Sequence, residues 1–142
     1  MIDLGTTFLS SVDRCPQAIA ITYENKSLNY SNWLIKISSL AISLKKMGLR
    51  KGDKLMTLLP NTFEACTIHW AWQLIGIIIV PINWRVKSEE IIFFLKNSKS
   101  KCIIFDDFSE KEIKSSNLSN SIIKISKSSQ ISNYENFKSL IN

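Results

Sequence analysis

Residues 65–84 form a run of twenty without a charged side chain, and how that run divides decides what the chain can fold into. One unbroken apolar helix of that length would cross a bilayer. Thr67, His69, Gln73 and Asn83 interrupt the apolar character, and Gly76 and Pro81 punctuate it. A glycine at the end of a helical pattern supplies the left-handed residue that stops a helix, and a proline closes a strand. The run is therefore predicted to be an amphipathic helix over 62–75 followed by a short buried strand over 77–80. No transmembrane span is expected. The opening MIDLGTT has an early acid and no apolar centre, so it does not read as a signal peptide. A soluble, cytoplasmic protein is the expectation.

The same alternation extends in both directions. Trp33, Ile37, Leu40, Ala41, Leu44 and Met47 recur at steps of three and four, which predicts a long helix from an Asn29 cap to Met47, ended by Gly48. A short helix over 6–14 precedes it, stopped before Pro16, and residues 18–23 and 26–29 pair as a hairpin across Glu24-Asn25. Strands follow at 54–59 and 102–105, with a helix at 89–97 for which Ser88 offers a cap. Asn61 with Glu64 reads as the capping box of the helix over 62–75. Strands alternating with helices give the class: α/β, a parallel sheet with flanking helices. Residues 108–142 hold ten serines and neither glycine nor proline; a helix over 110–115, a strand over 122–125 and a last helix over 134–141 are predicted there.

The net charge of +6 raises nucleic-acid binding. Fifteen lysines stand against three arginines, scattered from Lys26 to Lys138, beside 22 isoleucines and 11 asparagines. Ile, Lys and Asn are read from A/T-rich codons, so the lysine excess follows a general drift and no nucleic-acid partner is expected. Cys15, Cys66 and Cys102 are odd in number and form no CxxC pair, so neither a disulfide framework nor a zinc knuckle is indicated.

Individual residues signal little chemistry. His69 is the single histidine, and Cys66 precedes it by one helical turn on the same face. Mid-helix beside Trp70 and Trp72, the pair reads as core rather than as a nucleophile and its base. Asp106-Asp107 ends a parallel strand, where ligands bind in open α/β sheets, although a solvated strand exit is the commoner reading. No metal-ligand spacing occurs and no catalytic residue is identified. The glycines Gly5, Gly48, Gly52 and Gly76 are isolated, so the chain shows no phosphate-cradling loop.

The order of these marks resembles a known family. Residues 28–33, LNYSNW, are similar to the "T-Y-x-E-L" entry of the adenylate-forming enzymes, the superfamily of acyl-CoA synthetases, peptide-synthetase adenylation domains and luciferases. Gly48 to Lys54 resembles its "G-x-x-x-G-D-x-V" and Leu58-Leu59-Pro60-Asn61 its "L-x-N-s". Gly76 with residues 79–85, IVPINWR, resembles "G-a-x-x-v-P-l-N-x-R", and Ser88 to Ser98 resembles "x-x-E-l-x-x-i-L-x-d-s". Asn29 and Asn32 replace the Thr and Glu of the first motif. PINWRV is similar to the CoA-forming members.

The resemblance implies a ligase that joins a carboxylate to ATP-Mg, giving an acyl-adenylate, and then transfers the acyl group to CoA. Arg85 is implied as a contact for the nucleotide phosphate of CoA, against the plain alternative of a surface arginine. The phosphate loop, the ATP-positioning and ribose-binding motifs and the mobile lysine of such enzymes match nothing here. ATP, Mg and CoA are therefore implied for the complete enzyme and none for this segment alone. Residues 1–142 are expected to be an incomplete N-terminal portion of an adenylation domain, with 108–142 leading toward the missing phosphate loop. Such a piece is expected to lack competence alone and to leave sheet edges and an apolar face uncovered. The alternatives are a stand-alone small α/β binding or regulatory protein, or one half of a split ligase.

Overall fold

The computed structural model describes residues 4–127 and 134–141. Helix α1 (Leu4–Arg14) leads into an antiparallel hairpin of β1 (Ile19–Tyr23) and β2 (Lys26–Asn29). There follow α2 (Tyr30–Lys46), β3 (Lys54–Leu58), α3 (Phe63–Ile75), β4 (Ile78–Pro81), α4 (Ser88–Ser98), β5 (Cys102–Phe105) and α5 (Asp107–Ser115). The short elements β6 (Ile123–Ser126), β7 (Glu135–Asn136) and α6 (Phe137–Leu140) complete it. The main sheet has the order β4-β3-β5-β6-β7, every pair parallel. The expected α/β class is the observed one.

Central strands covered on both sides read as near-continuous apolar runs. Leu55, Cys102, Ile104 and Ile125 point to one face, where they pack with Phe8 and Val12 of α1, Ile37, Leu40 and Leu44 of α2, Ile68 of α3, and Phe137 of α6. Met56, Leu58, Ile103 and Phe105 point to the other, against Ile91 and Leu95 of α4 and Ile113 of α5. The sheet faces are thus both covered, contrary to the expectation of an open apolar face. The crossover helices fall on opposite sides, and that placement does the covering. Trp33, buried in α2, donates its Nε1–H to Thr67 Oγ1 at 3.0 Å, tying α2 to α3.

Local signals place most boundaries. Asn29 Oδ1 accepts the Asn32 N–H at 2.8 Å and caps α2 as expected. The cap of α3 is Thr62, whose Oγ1 accepts the Ala65 N–H at 3.4 Å, and not Asn61, which is exposed. The α4 cap falls on Lys87 rather than Ser88. Glu90 accepts the Lys87 N–H at 2.9 Å, and Glu112 of α5 accepts the Ser88 N–H at 3.0 Å. Gly76 ends α3 at φ 70°, ψ 26°, its N–H bonded to the Trp72 carbonyl. The last strand and helix differ from the expected pattern: residues 135–136 pair beside β6 and the final helix shrinks to Phe137–Leu140.

No helix among the described residues is long and apolar enough to cross a membrane. The uncharged run resolves into α3, a turn at Gly76 and β4.

Candidate functional site at the carboxyl end of the sheet

Strand β3 lies between β4 and β5. Its crossover helix α3 packs on one face, whereas α5, which follows β5, packs on the other. The connections leaving the carboxyl ends of β3 and β5 therefore turn to opposite faces, and in open α/β sheets this is the crevice where ligands bind. Three groups of residues meet around it.

The first is an ion cluster. Asp106, directly after β5, is buried, and its Oδ2 receives Lys127 Nζ at 3.0 Å. The same ammonium stands 3.7 Å from Glu64 Oε2 in the first turn of α3. Burial works to lower the Lys127 pKa, but the Asp106 hydrogen bond and the charges of Glu64 and Asp106 outweigh it and hold the ammonium above its usual value. Asp106 is thus no solvated strand exit. Asp107 is exposed and opens α5.

The second is a groove of about 560 Å³ over the ends of β3 and β4, lined among others by Trp33, Leu59, Cys66, His69, Trp70 and Pro81. Cys66 is exposed and His69 half-buried, so neither belongs to the core as their helical setting suggested. The imidazole packs against Trp70 and Trp72 at 5.2 and 5.0 Å between ring centroids. Although the residue is exposed, the apolar groove around its sulfur desolvates the Cys66 thiol and pushes its pKa up, which disfavours the thiolate a nucleophile needs.

The third is the loop between β4 and α4. Arg85 is exposed, with its guanidinium 4.3 Å from the centroid of the Trp84 ring. Its N–H donates to Asn83 Oδ1 at 3.0 Å, and Ser109 of α5 donates its hydroxyl to the Trp84 carbonyl at 2.8 Å. The loop is thereby fastened to α5, while the Arg85 side chain stays exposed over the Trp84 ring. Phe108, largely exposed, completes a row of rings 5.3 Å from Trp84. The structure places Arg85 just after the carboxyl end of β4, at the same end of the sheet as Asp106 and Lys127.

Among the described residues no group of three or more His, Cys, Asp or Glu side chains is placed to hold a metal ion. The Lys127 bridge escaped the sequence because its partners lie 21 and 63 residues away. A strand-end acid followed by a lysine leaving the next strand was the available signal.

Comparison with known proteins agrees with this architecture. The model of the AMP-binding enzyme family matches residues 8–139, and the chain belongs to that family. It is 34% identical over 104 residues to the mitochondrial medium-chain acyl-CoA ligase ACSF2 of Mus musculus, covering 72% of this chain and 17% of that protein. It is 37% identical over 62 residues to the long-chain-fatty-acid–CoA ligase FadD13 of Mycobacterium tuberculosis, covering 44% of this chain and 12% of that one. A benzoate CoA ligase from Burkholderia xenovorans LB400 superposes on 99% of the chain with a TM-score of 0.88, at 13% identity and over 28% of its own length. That likeness is one of fold. The chain spans less than a fifth of the length of the two curated relatives.

Proposed function

We propose that this chain forms the opening part of the adenylation domain of a cytoplasmic acyl-CoA ligase. In that reaction a carboxylate oxygen attacks the α-phosphorus of ATP, releasing pyrophosphate, and the CoA thiol then displaces AMP from the acyl-adenylate. Residues 1–142 supply the scaffold, and 108–142 lead toward the phosphate loop of the complete enzyme. The observation that carries the reading is the matched run of marks from residue 28 to residue 98, within which Asn83-Trp84-Arg85 follows β4 at the carboxyl end of the sheet.

The residues present fit the three small molecules unequally. The exposed Arg85 fork, steadied by Trp84, suits bidentate hydrogen bonding to a phosphate of CoA. Isolated glycines offer no cradle for the ATP phosphates, so Mg-ATP would be held by other parts of the enzyme. The terms that stabilise phosphoryl charge would come from there as well. Alone, this chain is expected to show no carboxylate-dependent exchange of pyrophosphate into ATP.

A second reading, one piece of a ligase made from two chains, is favoured by the covering of both sheet faces. Immunoblotting the native product separates the two: a band several times heavier than 16.2 kDa supports the first, and a 16.2 kDa band co-purifying with a second chain supports the other. A 16.2 kDa product without a partner overturns both. In the whole ligase, Arg85→Ala should raise the KM for CoA about tenfold, as loss of a charged hydrogen bond predicts. It should leave the KM for CoA lacking the 3′-phosphate unchanged. Equal effects on the two thiols would remove Arg85 from the phosphate site.

A further inference from the structure

The positive charge is concentrated rather than scattered. Residues 45–54 and 96–101 together hold eight lysines and arginines and one acid, a net +7 where the whole chain carries +6. The rest of the chain is therefore close to neutral.

The fold brings these two segments to one place, the amino-terminal end of the parallel sheet. The first is the last turn of α2 and the turn entering β3, and the second is the end of α4 and the turn entering β5. A backbone bond joins them side by side, Lys101 N–H to the Lys54 carbonyl at 2.9 Å, and the start of β4 lies against the first through Ile78 N–H to the Asp53 carbonyl at 2.8 Å. Lys45, Lys46, Arg50, Lys51 and Lys99 are exposed there. The acid, Asp53, is already held by Lys101 at 2.6 Å. Cations in the last turns of α2 and α4 complement helix dipoles. Arg50, Lys51 and Lys99 lie outside the helices, so this explanation does not reach them. Ile78, the register partner of Lys54, stands half exposed at the rim.

We infer that this end of the molecule docks on an anionic membrane surface. Flexible lysines around an exposed aliphatic residue suit a layer of lipid phosphates, to which the stems can lie parallel while the ammonium groups reach the headgroups. Nucleic acid is less well matched. Seven of the eight cations are lysines, without the arginine fork, and neither segment contains an aromatic residue on which a base could stack. The basic end is opposite the crevice at β3 and β5, so docking would leave that crevice facing the aqueous phase.

The test is cosedimentation of the full chain with phosphatidylcholine vesicles, with and without 30% phosphatidylserine (about one lipid in three), at rising salt. Each lysine near such a surface contributes about fivefold in partitioning. Substituting Lys45→Gln, Lys46→Gln, Lys51→Gln and Lys99→Gln together should weaken binding a hundredfold or more. The matched set Lys26→Gln, Lys36→Gln, Lys111→Gln and Lys138→Gln removes the same charge elsewhere and should change it by no more than about tenfold. Circular dichroism of both sets confirms that they fold. Equal binding to neutral vesicles, or equal loss in the two sets, would overturn the inference. So would tighter binding to duplex DNA at the same salt, or full competition by millimolar inorganic phosphate, which would mark a nucleic-acid or small-anion site.

Discussion

Gly76 joins two constraints that mutation can separate. Its φ of +70° lies in the left-handed region, and a Cβ built there would stand 2.8 Å from Lys51 Cγ. Gly48 and Gly52 share the first constraint, at φ +94° and +86°, but their Cβ positions are open. For alanine, left-handed geometry costs about 1–2 kcal/mol. The lost flexibility of the unfolded glycine offsets about 0.4–1 kcal/mol of that. Gly48→Ala and Gly52→Ala should thus destabilise by about 1 kcal/mol each. In Gly76→Ala the Lys51 stem must also leave its rotamer, adding about 1 kcal/mol. Urea unfolding followed by circular dichroism reads these differences. With a slope of about 2 kcal/mol/M, the extra term moves the midpoint by about 0.5 M. Lys51→Ala removes Cγ and should recover that extra term in the Gly76→Ala background while leaving Gly48→Ala unaffected. If Gly76→Ala is no worse than Gly48→Ala, or if the Lys51 and Gly76 changes are additive, the contact plays no part and the reasoning fails.

Two further perturbations test the charged contacts. Lys127→Ala leaves the buried Asp106 carboxylate without its ammonium and should cost about 3 kcal/mol, whereas Lys127→Ala with Asp106→Asn should regain most of it; an unchanged melting temperature in the single variant would show that solvent reaches Asp106. The Lys101 hydrogen bond, the Arg50 N–H and the nearby positive charges hold the Asp53 carboxyl below its ordinary value of 3.8. A depressed carboxyl pKa contributes stability that is present above the unfolded value and lost as pH falls through the folded one. Asp53→Asn should therefore lower the melting temperature by a few degrees at pH 7 and by progressively less below pH 4, with a ceiling of about 1 kcal/mol because Lys101 is largely exposed. A pH-independent difference would trace the effect to turn geometry instead.

The sequence was most legible where local chemistry and burial agree. Helix α2 has a capping asparagine, a single apolar stripe and a glycine stop, and each feature was found in place. Cys66 and His69 were misread because α3 is apolar around much of its circumference. Periodicity shows which residues are apolar neighbours but not which face is left beside the edge strand β4, where the groove opens. The caps of α3 and α4 moved by one residue because neighbouring polar residues compete for the same N–H groups, and the tertiary partner Glu112 helped to decide the second. The concentration of charge at the amino end could be counted along the chain. Its meaning required the pairing of β3 with β5, which unites two segments about fifty residues apart.

The strand order also prescribes a sequence of assembly. Once β3 and β4 have paired, each later strand among the described residues adds on the same side: β5 beside β3, β6 beside β5 and β7 beside β6. As the chain leaves a ribosome, the β4 border is completed early, and its proline and short length discourage pairing with other nascent chains. The opposite border advances through the crossovers of α4 and α5, so that β5 and β6 each wait for a helix to be made before they can dock. Slow codons placed after residue 106 would therefore prolong the exposure of a half-covered β5, and chaperone demand should peak there rather than at the uncharged run that first draws the eye.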